Sequence, residues 1–196
     1  NHSKSVRLGV DKSLMVFDMP YKTYRNPQEA LKNAKLVLKE TKCDAIKLEG
    51  GKKIIPIVKK LVQNKIPVMG HVGILPQTDK KFTFKGRKQR ESERILNDTK
   101  LLENAGAFSI VLECIETKLS KKITNQIKIP TIGIGSSSNC DGQVLVIDDL
   151  IGLTQSKFKF VKKYIDMSKI IEGAVKKYRV DVLKKRFPKA KHSFKN

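Results

Sequence analysis

Tryptophan is absent from the 196 residues, aromatic residues make up only 6%, and there are three cysteines. Cys43, Cys114 and Cys140 lie far apart and form no CxxC pair. That argues against a disulfide framework or a cysteine metal site and for reduced core cysteines, with a cytoplasmic location as the expectation. No apolar run approaches the roughly 20 residues that cross a bilayer. The opening "NHSKSVRLGV" is polar and basic, without the apolar segment of a secretory signal. No membrane partner is expected. Acidic residues are scarce, 19 against 41 basic, which leaves a net charge of +22 and invites a nucleic-acid reading. The lysines, however, are spread over nearly every helix-like segment. They come without interleaved aromatics of an RNA-binding signature or zinc-finger spacing. Solvated lysine faces are the simpler account, and no nucleic-acid partner is expected. No GxGxxG opens a helix after a strand, and "GIGSSS" at 133–138 lacks the Gly-Lys-Ser/Thr ending of a phosphate loop.

Against these absences stands a regular alternation. Apolar runs of strand length, at 13–18, 44–50, 66–73, 107–114 and 129–136, alternate with segments of helical period. A sixth run, "GQVLVIDDL", spans 142–150. The first full helix opens with Asn26 as N-cap and Pro27 in its first turn. The first ten residues read as the end of a helix stopping near Gly9, and the last helix is expected from about 157 to 185. Apolar strands alternating with amphipathic helices specify a parallel α/β sheet flanked by helices.

"FSIVLECIE" (108–116) poses the chemical question, because an ionised carboxylate at the end of an apolar strand is costly to desolvate. Glu113 is not alone in its position. The first strand ends in Asp18, the second in Lys47 and Glu49, the third in His71, and the fifth in Gly133, Gly135 and Ser136. Strand C-termini of a (β/α) barrel converge on one mouth, where such enzymes place their chemistry. Asp18 and Glu49 are hard oxygen donors that suit Mg²⁺ with positions left for water or substrate. Lys47 and Glu49, two apart on one strand, point to the same face, and the lysine suits a substrate carboxylate. His71 and Glu113 are the proton-transfer candidates. Each has a plainer reading: Asp18 as a turn cap before Pro20, Lys47 and Glu49 as a self-neutralising pair, His71 as a satisfied loop histidine. Five complementary residues on successive strand ends are harder to explain that way.

The stretches "VFDMP", "AIKLEGG", "PVMGHVGILPQ", "AGAFSIVLECI", "IPTIGIGSSSNCDGQVLVIDDLIGL" and the closing "FP…HSF" resemble ketopantoate hydroxymethyltransferases, in order and over essentially the whole chain. The resemblance implies a (β/α)8 TIM barrel of the phosphoenolpyruvate/pyruvate-domain type. About six of its eight strand–helix units are present here, followed by C-terminal helices. Residues 1–196 would form one barrel domain lacking its first strands, with 155–196 as a lysine-rich helical part. It also implies transfer of a hydroxymethyl group from 5,10-methylenetetrahydrofolate to 3-methyl-2-oxobutanoate, giving 2-dehydropantoate for pantothenate synthesis, with Mg²⁺. By motif, Glu113 corresponds to the proton acceptor; Asp18, Lys47 and His71 to the substrate site; Asp18 and Glu49 to the metal site. The family's first metal-binding Asp and its adjacent Ser lie upstream of anything in this sequence. The loop after His71 is shorter and poorer in glycine than is usual in the family. A homo-oligomer, often a decamer, is implied as well. The alternatives are another Mg²⁺-dependent 2-oxo acid lyase or aldolase of the same barrel group, an inactive fragment, or a basic nucleic-acid-binding protein.

Overall fold

A computed structural model describes residues 1–80 and 82–194. The chain divides into two compact units, Asn1–Val144 and Leu145–Asn196. The division falls ahead of residue 155, where the lysine-rich part was expected to begin.

The first unit opens with helix α1 (His2–Leu8), closed at Gly9 as its sequence suggested. Strand β1 (Val16–Asp18) follows, then α2 (Pro27–Thr41), β2 (Ala45–Glu49) and α3 (Ile55–Gln63), which is preceded by a 3₁₀ turn at Lys52–Ile54. Next come β3 (Val68–Gly73), α4 (Gln89–Asn104), β4 (Ser109–Glu113), α5 (Thr117–Gln126), β5 (Thr131–Ile134) and the two-residue β6 (Gly142–Gln143). All six strands form one sheet in sequential order, and every pairing is parallel. This is the open α/β arrangement of successive β/α units that the alternation specified.

Local chemistry explains the elements. Asn26 caps α2 by accepting the Glu29 amide at 2.9 Å, and Pro27 sits where its missing N–H costs nothing. Glu116 caps α5 in the same way, accepting from the Leu119 amide at 2.9 Å. The helices bury one face against the sheet. Ala30 and Ala34 of α2, Val58 and Leu61 of α3, Leu102 of α4 and Ile123 of α5 pack with Ile46, Leu48, Val68, Ile110 and Leu112 of the strands. At Gly70 an added Cβ would stand 3.0 Å from Leu102, so α4 rides directly on β3.

Register then decides what lies on the opposite face. Asp18 pairs with Lys47, Glu49 with His71, and Gly73 with Glu113. In-register residues of a parallel pair share a face, as do residues two apart on a strand. Asp18, Lys47, Glu49, His71 and Glu113 therefore all project from the face turned away from the helices.

The second unit contains the single-turn helix α6 (Ile147–Leu150), the 17-residue α7 (Met167–Leu183) and a 3₁₀ turn at Ala190–His192. Two sequence expectations are corrected. The run 142–150 is not a long strand: only Gly142–Gln143 pair, and Ile147–Leu150 turn into α6, led by the helix-start residues Asp148 and Asp149. The last helix begins at Met167, not near 157, because Asp166 caps it by accepting the Lys169 amide at 3.2 Å. Before it, Phe158 and Phe160 stack with centroids 5.6 Å apart, an i,i+2 contact that a helix does not make.

Candidate active site

The five residues singled out by their strand-end positions form one continuous cluster. Lys47 sits at its centre, its Nζ 2.8 Å from Asp18 Oδ1, 3.1 Å from His71 Nδ1 and 4.0 Å from Glu49 Oε1. His71 is almost fully buried and continues the chain, with Nε2 3.2 Å from Glu113 Oε2. An ammonium can only donate, so His71 Nδ1 accepts from Lys47 and the ring proton lies on Nε2, facing Glu113. The carboxylate lies off the donor direction, however, and Nε2 makes no hydrogen bond despite the short distance.

Burial differs sharply along the cluster. The Asp18 side chain is 53% exposed, while that of Glu49 is 4% exposed. Burial raises the Glu49 carboxyl above its ordinary value. The Gln77 backbone amide and the nearby Lys47 ammonium pull it back only in part. Cys114, next to Glu113, takes a positive φ of 49° and is pushed up to about 11, by burial first and by the Glu113 charge second. A non-glycine residue in the left-handed region costs about 1 kcal/mol; here it turns the chain sharply after Glu113. Gly73 lets β3 close against the same strand end. It has a φ of +104°, and a Cβ would stand 2.1 Å from the Glu113 carbonyl oxygen.

The plainer readings fare poorly. Asp18 pairs with Lys47 and not with a turn amide. Lys47 and Glu49 are in loose contact only, and His71 retains an unpartnered nitrogen. Ser136 behaves differently: its hydroxyl donates to Leu112 O at 2.6 Å and accepts from the Ile115 amide at 3.1 Å, stitching two strand ends together.

Sequence reasoning missed Gln77 and Tyr24. The Gln77 amide donates to Glu49 Oε2 at 3.1 Å, its Nε2 donates to Met19 O at 2.9 Å, and the Tyr24 hydroxyl donates to its Oε1 at 2.8 Å. One residue thus straps the β3–α4 loop to the chain after β1 through its side chain and to the end of β2 through its backbone N–H. Burial pushes the Tyr24 phenol up to about 12, keeping it a donor. Gln77 lies within "GHVGILPQ", but nothing local marks it. Its partners are 28 and more residues away.

Among the described residues no three His, Cys, Asp or Glu side chains converge as a metal-binding group. Asp18 and Glu49 nevertheless supply two hard oxygen donors, as many protein carboxylates as Mg²⁺ commonly takes when water and substrate fill its remaining positions.

A parallel α/β sheet with a lysine, a histidine and three carboxylates gathered where its strands end has the layout of an enzyme for small polar substrates. The ketopantoate hydroxymethyltransferase family model matches residues 1–190. A 3-methyl-2-oxobutanoate hydroxymethyltransferase of Pelagibacter ubique is 61% identical over 193 residues, 98% of this chain and 75% of that one. Its counterpart in Chlorobaculum tepidum is 44% identical over 202 residues, 98% of this chain and 73% of that one. Among solved structures, a putative phosphonomutase from Burkholderia cenocepacia aligns at 9% identity with a TM-score of 0.47, covering 63% of this chain and 54% of that chain. The chain belongs to the ketopantoate hydroxymethyltransferase family.

Proposed function

We propose that the chain transfers the one-carbon unit of 5,10-methylenetetrahydrofolate to C3 of 3-methyl-2-oxobutanoate, giving 2-dehydropantoate in pantothenate biosynthesis. The observation that carries the reading is the contiguous cluster Asp18–Lys47–His71–Glu113 on one sheet face, with Glu49 beside it. Glu113, 13% exposed at the rim, accepts the C3 proton. C3 then bonds to the folate's one-carbon unit as one of its two carbon–nitrogen bonds breaks, and water replaces the second nitrogen to supply the hydroxyl oxygen; the two folate nitrogens take up the proton removed from C3 and one proton of the water. Lys47 meets the substrate carboxylate and, through Nδ1, holds the His71 ring with its Nε2 proton toward Glu113. Asp18, more open than Glu49, contacts the substrate. Gln77 orients Glu49 from behind.

Three carboxylates against one ammonium leave two formal negative charges in the cluster, a field that suits a divalent cation. Asp18 and Glu49 would hold Mg²⁺. When bound, it acts as a Lewis acid toward the 2-oxo acid, favouring loss of the C3 proton. A homo-oligomer is part of the proposal. It is supported by α7, which buries no residue and leaves Ile170, Ile171, Val175 and Tyr178 exposed. A cytoplasmic setting is supported by three free cysteines.

The test is exchange of the C3 proton of 3-methyl-2-oxobutanoate in D₂O with Mg²⁺, followed by proton NMR, and then formation of 2-dehydropantoate on adding the folate. Glu113→Gln should slow exchange by about 100-fold or more. A wild-type rate in that variant refutes the assignment. Exchange without folate-dependent product would favour a lyase or aldolase.

A further inference from the structure

The loop between β3 and α4 carries an arrangement for which the proton-transfer chemistry has no use. Its returning limb is tied to the strand end that holds Glu113. The Lys85 amide donates to Cys114 O at 2.8 Å, and the Glu116 amide donates to Lys85 O at 2.9 Å. The Lys85 ammonium pairs with Asp79 at 3.0 Å. Gly86, with φ +85°, completes the anchor: its amide donates to Glu91 at 2.7 Å, and a Cβ there would stand 2.5 Å from Leu119 Cδ2. The backbone at 85–86 is therefore held on both sides.

On either side of this anchor the chain presents Phe84 and Arg87 to solvent. Phe84 is 50% exposed, and the Arg87 guanidinium lies 5.1 Å from its ring centroid. An exposed aromatic face beside a planar cation, both carried on fixed backbone, is a platform for a third flat group, since aromatic rings and guanidinium planes both stack on heterocycles. The surrounding stretch from Ile74 to Lys88 holds five basic residues and one acidic residue, which suits a ligand with an anionic tail.

We propose that Phe84 and Arg87 form the pterin subsite for the folate co-substrate; this rests on the hydroxymethyl-transfer reading. In a methylenetetrahydrofolate the one-carbon unit bridges the pterin and the aminobenzoate. The pterin must therefore lie beside the carbon that Glu113 deprotonates. The platform begins at the residue preceding Lys85, whose amide is bonded to the carbonyl next after Glu113. The glutamate tail of the folate then runs away from the platform, where the other basic residues of this stretch suit its carboxylates.

The experiment is calorimetric titration of the full chain, with Mg²⁺, using tetrahydrofolate in its mono- and triglutamate forms. Phe84→Leu should weaken tetrahydrofolate binding by about tenfold, a stacking interaction's usual worth, while Phe84→Tyr keeps the wild-type affinity. Arg87→Gln should weaken the monoglutamate and the triglutamate alike, because the pterin is common to both. Gel filtration and urea midpoints establish that the variants fold and assemble as the wild type does. Affinities within twofold of wild type in Phe84→Leu and Arg87→Gln overturn the subsite. So does a change in oligomeric state without a change in affinity, which would make Phe84 a contact between copies. The C3 exchange of the wild type separates the two readings. Absent exchange with Phe84-dependent folate binding sinks the reaction and keeps the subsite. Normal exchange with Phe84-independent binding does the reverse.

Discussion

Replacing Lys47 by methionine removes the cation from the centre of the cluster while keeping most of the side-chain volume. At 4.0 Å from Glu49, with the two side chains 17% and 4% exposed, the lost attraction is about 4 kcal/mol at an effective dielectric of about 20. Relief from burying the ammonium offsets part of this. The half-exposed Asp18 contributes little more, about 0.5 kcal/mol. A net destabilisation of about 2–3 kcal/mol is expected at pH 8 in urea unfolding. Its pH dependence carries the sharper test. Burial already raises the Glu49 carboxyl, and Lys47 is one of the groups holding it down. Without Lys47 the folded-state value rises further, so the variant takes up a proton that the unfolded chain releases. Protonation removes the unpaired charge, and the deficit relative to wild type shrinks as pH falls from 8 toward 5. Lys47→Arg, which keeps the charge, should recover most of the stability but not the alignment of His71. Both variants should lower C3 exchange, Lys47→Met by about 100-fold or more. A deficit below about 0.5 kcal/mol, or one equal at pH 5 and pH 8, would refute this account of the cluster.

Glu49→Gln removes a buried charge while keeping an acceptor for the Gln77 amide, so it should abolish Mg²⁺-dependent exchange yet raise stability at neutral pH by about 1 kcal/mol, measured by the urea midpoint. Gly73→Ala places a methyl 2.1 Å from the Glu113 carbonyl at a φ of +104° and should cost about 3 kcal/mol or prevent folding; an unchanged melting curve would contradict it. Tyr24, with a folded value of about 12, should ionise well above an ordinary phenol, and its stabilising contribution is present below about pH 10 and lost toward 12. Ultraviolet titration of Tyr24→Phe should lack the step near 12. Cys114, pushed up to about 11 and buried, should resist iodoacetamide at pH 8 in the native protein and react promptly in urea.

The primary structure determined more of this protein than its composition suggests. Strand-length apolar runs between amphipathic helices were enough for a parallel sheet, and Asn26–Pro27 marked a helix start to the residue. Period two along "AIKLEG" put Lys47 and Glu49 on one face, because side-chain alternation is a property of the strand alone. Boundaries failed where tertiary context overrode pattern. The run after Gln143 is apolar enough for a strand but turns into α6, and the lysine-rich segment before Asp166 holds stacked phenylalanines in place of a helix. The site divides the same way. Its five residues were legible because each lies at a strand end or within two residues of one. Their contacts were not, since register comes from hydrogen bonds between segments that are distant in sequence. Only the folded sheet placed Lys47 between Asp18 and His71, left His71 Nε2 facing Glu113 without a bond, and brought Gln77 and Tyr24 to Glu49. Alternation is local and can be read along the chain. Register, burial and the direction of a hydrogen bond depend on how separate elements pack, and they exist only once the sheet has closed over its helices.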